Sequence, residues 1–224
     1  MQNKNYKYLT LITVIFITIL LVSNIVSSKI VNIRKFTFDA GTILFPLSYI
    51  FGDILTEVYG YKQSRKIIRM GFGSALLMSL IIIIVGLLPA AADRPYQESY
   101  QNILGLTPRI VIASLIAYFA GEFSNSYLLA KIKIRMKGKK LRIRTIGSTI
   151  IAQIFDTGLF VFIAFAGIFE PSLLWIILVS NYIFKVGIEI LFTPLTYLIT
   201  NKLKKSESED YYDKKTNFNP FKLH

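Results

Sequence analysis

Six apolar stretches, each with room to cross a bilayer, dominate this chain, and four of them carry ionisable side chains near their midpoints. A helix needs roughly 20 predominantly apolar residues to span hydrocarbon. The stretches run over about residues 8–28, 40–60, 68–90, 109–130, 146–169 and 173–200. Lipid offers the backbone no hydrogen-bond partners, so each stretch is expected to be a helix. Strands of a membrane barrel would alternate polar and apolar residues and be far less hydrophobic. The fold class expected is therefore all-α, a polytopic membrane protein with six transmembrane helices. Residues 1–201 read as one transmembrane domain, and no soluble domain of useful size remains. Residues 202–224 are polar, with Ser206, Glu207, Ser208, Glu209 and Asp210 in succession, and are expected to form a mobile cytoplasmic tail.

The formal charge of +13 has a pattern along the chain. Lys4 and Lys7 precede the first span. Lys62, Arg65, Lys66 and Arg69 lie between the second and third. Eight basic residues from Lys131 to Arg144 lie between the fourth and fifth, and Lys202, Lys204 and Lys205 follow the sixth. The alternate loops hold only Lys29, Arg34, Lys35 and Arg94, with Arg109 at a helix mouth. By the positive-inside rule both termini are expected in the cytoplasm. The run 131–144 reads as orientation and attraction to anionic headgroups of the lipid bilayer. No aromatic side chains are interleaved there to stack bases, so no nucleic-acid partner is expected. The first span lacks a small-x-small cleavage site and runs too long for a signal peptide, so it reads as a retained helix.

Charge at membrane depth is costly and usually faces a cavity, a partner charge or a cargo. The first span ends in Ser23 and Asn24, and Asn24 either bonds a neighbouring helix or touches cargo. The second carries Pro46, expected to kink it, then Tyr49, Asp53 and Glu57 at four-residue steps on one face. The two acids read as lining a polar cavity, with helix glue as the alternative. The third span, with Ile81–Val85, reads as a lipid-facing wall. The fourth holds Glu122 and Asn125, and the fifth holds Gln153, Asp156 and Thr157. The sixth holds Asn181, Lys185 and Glu189 at four-residue steps. Lys185 pairs either with Glu189 or with an acid on another helix. At about 1.5 Å per residue, Asp53, Glu122, Asp156 and Lys185 fall in one band roughly 16–20 Å from the ends of their spans. Four helices then contribute polar groups at one level, as in transporter sites. Surplus acids at that depth suit a donor-rich cargo whose paired N–H groups match a carboxylate. Aromatics nearby, including Phe155, Phe160 and Phe184, can stack on a planar ring.

Several chemistries lack their residues. There is no Cys, and the only His is His224, so zinc or copper sites and Ser–His hydrolysis have no support. Ile50-Phe51-Gly52-Asp53 lacks the first glycine of the intramembrane aspartyl protease motif, although two facing acids can share a proton. No GxxxxGK[ST] run is present to bind ATP. The chain reads as a non-enzyme with no cofactor and no metal.

The block Phe45–Gly60, with Pro108–Tyr118, Gly147-Ser148-Thr149, Phe155-Asp156-Thr157 and Asn181–Lys185, resembles the queuosine precursor transporters, the VUT group of six-helix bacterial membrane proteins. Tyr61–Arg69 reads as a basic turn within that pattern. The resemblance covers nearly all of residues 10–200. It implies a multi-pass protein of the bacterial inner membrane importing 7-deazaguanine bases, such as 7-cyano- and 7-aminomethyl-7-deazaguanine, for tRNA modification. It implies a small planar purine-like substrate bound by Asn24, Tyr49, Asp53, Glu57, Glu122, Gln153, Asp156 and Lys185. Asp156 or Asp53 would hold the guanidine-like edge, Lys185 would hold an acid or meet the ring carbonyl, and Arg109 would line the outer mouth. Assembly as a homodimer stays open. Two other classes compete. One is the substrate-binding subunit of an energy-coupling-factor vitamin transporter, which would partner an ATPase module. The other is a proton or ion channel.

Overall fold

The computed structural model describes residues 6–27, 29–33, 36–91, 96–105, 108–167, 170–214, 216–217 and 219. Lys4, Ser28, Arg34, Lys35, Arg94, Thr107 and His224 lie outside them. The elements are α1 (Leu9–Val26), β1 (Ile30–Ile33), β2 (Phe36–Asp39), α2 (Gly41–Tyr59), α3 (Tyr61–Gly86), α4 (Gln97–Ile103), α5 (Pro108–Arg135), α6 (Leu141–Phe165) and α7 (Pro171–Glu207). Among the described residues, α1, α2, α3, α6 and α7 are long and apolar enough to cross a membrane. The 28-residue α5 has the length, but Glu122, Ser124, Asn125 and Ser126 dilute its apolar character.

The architecture is helical as expected, and two local features add to it and shift its boundaries. First, β1 and β2 pair antiparallel, Ile30 opposite Asp39 and Val31 opposite Phe38, in a short hairpin between α1 and α2. Its Phe38 ring lies 4.8 Å from the Phe184 ring and so rests on α7. Second, the expected basic turn at 61–69 is the start of α3. Only Gly60 separates α2 from α3. Its backbone sits at φ +85°, ψ +164°, a region closed to side chains. A Cβ there would also overlap the Tyr211 ring. The corner reverses the chain with no intervening loop, and it buries Tyr61, Ser64, Arg65, Ile67 and Ile68.

α2 is the central helix. It packs on α1, α3, α5 and α7, while α6 closes the bundle against α5 and α7. Its apolar residues Ile54, Leu55 and Val58 meet Phe16 and Leu20 of α1 and Ile68 of α3 in one core. The outer walls keep apolar side chains uncovered: Leu77, Ile81 and Ile84 on α3, and Leu191 and Leu198 on α7. In water such stripes would be a liability; facing acyl chains they are what a spanning helix requires.

The expected boundary at residue 202 is not a structural break. α7 runs through it to Glu207. The Glu207 carboxylate accepts hydrogen bonds from the Lys7 and Tyr8 backbone N–H groups at 2.9 and 2.7 Å, and from Tyr59 Oη at 3.0 Å. Both ends of the bundle therefore meet at one end of the molecule, here the basic end.

Replacing Gly60 with Ala forces a side chain into a glycine-only conformation and against Tyr211, at an expected cost of about 1–3 kcal/mol. Heating detergent-solubilised protein and following the folded peak by size-exclusion chromatography would show earlier loss for G60A. An unchanged profile would count against this corner.

Candidate functional site

The polar residues of α2, α5, α6 and α7 form layers, and chain order on each helix sets their sequence. Farthest from the basic end is a small cleft lined by Thr42 and Phe45 of α2, Ser114 and Ala117 of α5, Asp156 and Phe160 of α6, and Asn181 and Lys185 of α7. Its free volume of about 10 Å³ holds one water, so a larger occupant needs the helices to part. Pro46 has no N–H to give the Thr42 carbonyl one turn back, which marks this stretch of α2 as a point where the helix can bend.

Lys185 settles which acid it holds. Its Nζ donates to Asp156 Oδ2 at 2.6 Å, across the α6–α7 contact, rather than to Glu189 on its own helix. The ammonium also lies 5.4 Å from the centre of the Phe45 ring. Asp156 and Lys185 are 3% and 5% exposed. In so dry a place the pair is mutually dependent, because either charge alone would be uncompensated. Asn181 stands one turn from Lys185 on the same face, and its Oδ1 is buried with no donor among the described residues.

Beneath the cleft lies a layer of carboxyls. Asp53 accepts from Asn125 Nδ2 at 2.6 Å, bringing α2 to α5. The Asp53 and Glu189 side chains lie against each other, bringing α2 to α7. Asp53 Oδ2, both Glu122 oxygens and both Glu189 oxygens meet no donor among the described residues. Two glycines permit this crowding. A Cβ on Gly52 would overlap the Glu122 carboxylate, and one on Gly121 would overlap the Tyr49 hydroxyl and crowd Asp156. Tyr49 is fully buried, and its ring meets Tyr118 edge-on at 6.4 Å.

A hydroxyl layer follows. Thr56 Oγ1 lies 3.0 Å from Ser126 Oγ, which is 3.2 Å from Ser64 Oγ. Next comes Glu57, which the structure does not bring to the cleft. Arg144 holds it with both terminal nitrogens, Nη2 at 3.0 Å from Oε1. Lys204 donates to the same oxygen, and Lys133 Nζ stands 3.5 Å from it. Lys133 donates to the Glu57 carbonyl at 2.6 Å and to Asp210 Oδ1 at 2.6 Å. Burial alone would raise the Asp210 carboxyl, but the bonds from Lys133 and Lys204 outweigh it and hold the group below the usual carboxylate range. These bonds are therefore complete at neutral pH and weaken only as pH falls through that lowered value.

The remaining expected site residues fall outside the cleft lining. Asn24 turns back on its own helix, its Nδ2 donating to the Leu20 carbonyl at 2.8 Å. Gln153 is buried one turn below Asp156 and accepts from Thr157 at 3.4 Å. Arg109 caps the end of α6, donating to the Ile163 and Ala166 carbonyls at 2.7 and 2.6 Å. Site reasoning on the sequence omitted Asn181 and Glu189. Their four-residue ladder with Lys185 carried the signal, since all three share one buried face of α7.

The Asp156–Lys185 pair makes a direct prediction. Lys185→Met or Asp156→Asn alone leaves one buried group without its partner and is expected to cost about 3–5 kcal/mol. The double variant should recover much of the loss. Thermal unfolding of the four proteins in detergent provides the cycle, and additive losses would contradict the pairing.

Comparison with known proteins now bears on these layers. The profile of a family described as "Putative vitamin uptake transporter" matches residues 39–199, the span from β2 to the last third of α7. A Bacillus subtilis protein named "Probable queuosine precursor transporter" is 28% identical over 187 residues, covering 83% of this chain and 81% of the relative. A Haemophilus influenzae protein of the same name is 27% identical over 167 residues, covering 72% and 68%. No solved structure matches the chain at a significant level. The matched region contains the whole cleft, the carboxyl layer and Glu57, and the chain belongs to this family of membrane transporters.

Proposed function

We propose that this protein imports queuosine precursors, 7-deazaguanine bases such as the 7-cyano and 7-aminomethyl forms, across the bacterial inner membrane. All six long helices cross the bilayer in this reading, and the basic end with both termini faces the cytoplasm. The supporting pattern is the clustering of Arg65, Lys133, Arg144 and Lys204 at the end where Glu207 meets Lys7 and Tyr8.

The observation that carries the substrate reading is the Asp156–Lys185 pair in a cleft walled by Phe45 and Phe160. A guanine-like edge offers a ring N–H and an exocyclic amine pointing the same way, which a carboxylate accepts as a fork. On binding, Asp156 exchanges part of its bond to Lys185 for that edge. Lys185 is then free to donate to the ring carbonyl. Asn181 Oδ1, which meets no donor among the described residues, accepts a further N–H from the base. Phe45 and Phe160 cover the ring faces. Tyr49, Asp53, Glu122 and Gln153 support this site from below, and Asn24 and Glu57 take no part in contacting the base. Each charge gains hydrogen bonds from the base while Asp156 and Lys185 stay side by side, so neither is left without a polar partner.

Uptake of radiolabelled 7-deazaguanine bases in cells unable to make them tests the proposal. Wild type should restore accumulation, and Asp156→Asn should lower it at least tenfold per molecule of folded protein in the membrane. Analogues lacking the exocyclic amine should fail to compete. Full competition by such analogues would remove the carboxylate-edge contact, and no uptake by wild type would remove the substrate assignment.

A further inference from the structure

Glu57 and the segment after α7 have no role in the cleft, yet they are among the most heavily bonded parts of the molecule. Every residue lining the cleft comes from the halves of α2, α5, α6 and α7 remote from the basic end. The other halves are shut by side chains. Glu57 of α2 gathers Lys133 of α5, Arg144 of α6 and Lys204 of α7, so one carboxylate ties four helices together at 1% exposure. Three cations around one acid leave excess positive charge, and Asp210 reduces it: its Oδ1 lies 2.6 Å from Lys133 Nζ and 2.9 Å from Lys204 Nζ.

Asp210 is held there by its neighbours. Tyr211 N donates to the Val58 carbonyl at 3.3 Å, and its own carbonyl accepts from Lys133 at 2.7 Å. The Tyr212 ring lies 4.7 Å from Lys133 Nζ, and its hydroxyl fills the space over Gly138. Asp213 Oδ2 accepts from the Tyr61 backbone N–H at 3.0 Å, and Arg65 donates to the Asn217 carbonyl at 3.0 Å. The tail thus runs from α7 past the end of α2 and the α5–α6 turn, and on across the α2–α3 corner to Arg65 of α3.

From this geometry we infer that the Glu57 cluster is the inner gate of the transport path, and that residues 210–213 are the latch holding it shut. The inference rests on the transport reading. The bonds are charge-assisted and converge on one acid, so the gate opens as a unit when Glu57 is released. The hydroxyl layer of Thr56, Ser64 and Ser126 is the first part of the path that opening exposes.

The chain contains no cysteine, so Ser126→Cys supplies a single thiol just behind the gate. A membrane-impermeant maleimide applied to inside-out vesicles should label this protein slowly. Adding Glu57→Gln or Asp210→Asn in the full-length chain should accelerate labelling at least fivefold, with labelling from the opposite face unchanged. Asp210 lies in the partly exposed tail, and its variant carries the test should Glu57→Gln fail to fold. Acceleration by Glu57→Gln alone keeps the gate and overturns the latch. Rates in both variants unchanged from Ser126→Cys alone, or acceleration from both faces at once, overturn the gate. Labelling needs no cargo, so a wild type that fails to take up deazaguanines removes the substrate assignment and leaves this result readable.

Discussion

Charge buried at membrane depth has to be answered within the bundle, and the Asp156–Lys185 bond is where this protein does so at its cleft. The pair joins α6 to α7 at the level where Phe45 and Phe160 wall the opening. In the proposed import of a base, this bond orders the site and gives way to a ligand with matching donors. A cleft lined only by hydroxyls and aromatics would have no means of selecting a base edge over any other flat molecule. A carboxylate with no cation beside it would be expensive to hold ready.

The layers below the pair differ in how completely their polar groups are met. In the carboxyl layer, Asp53, Glu122 and Glu189 keep oxygens that meet no donor among the described residues. In the Glu57 cluster nearly every donor and acceptor is engaged, several of them by the tail. In the proposed transport path, the end with unmet acceptors would meet an incoming donor and the end with satisfied ion pairs would resist opening. At Gly52, Gly60, Gly121 and Gly138 a side chain from another element occupies the place of a Cβ.

Much of the architecture was legible from residue pattern. The spans read at 8–28, 40–60, 109–130 and 146–169 fall on α1, α2, α5 and α6 within a few residues, apart from the inner extensions of α5 and α6. The Asn181–Lys185–Glu189 ladder marked the buried face of α7. Glu57 shows where pattern reading stopped short. Its four-residue spacing from Asp53 places both on one face, which is true. Four residues also advance about 6 Å along the axis, which is enough to move Glu57 out of the carboxyl layer and into the ion cluster. The tail shows the same limit of pattern reading. Low hydrophobicity says that a segment cannot form its own core, but it does not say that Asp210 and Asp213 have partners waiting on other helices.

The sequence by itself determined that this chain spans a membrane as helices, that one end is basic, and which helix faces are polar. These follow from hydrophobic length, backbone hydrogen bonding in lipid and the 3.6-residue turn, all of which act locally. Only the tertiary structure decided that Lys185 belongs to Asp156 and not Glu189, that Asn24 folds back on its own helix, and that Glu57 locks four helices. Periodicity fixes the face of a helix but not its neighbour, and charge pairing depends on which helices meet and at what height.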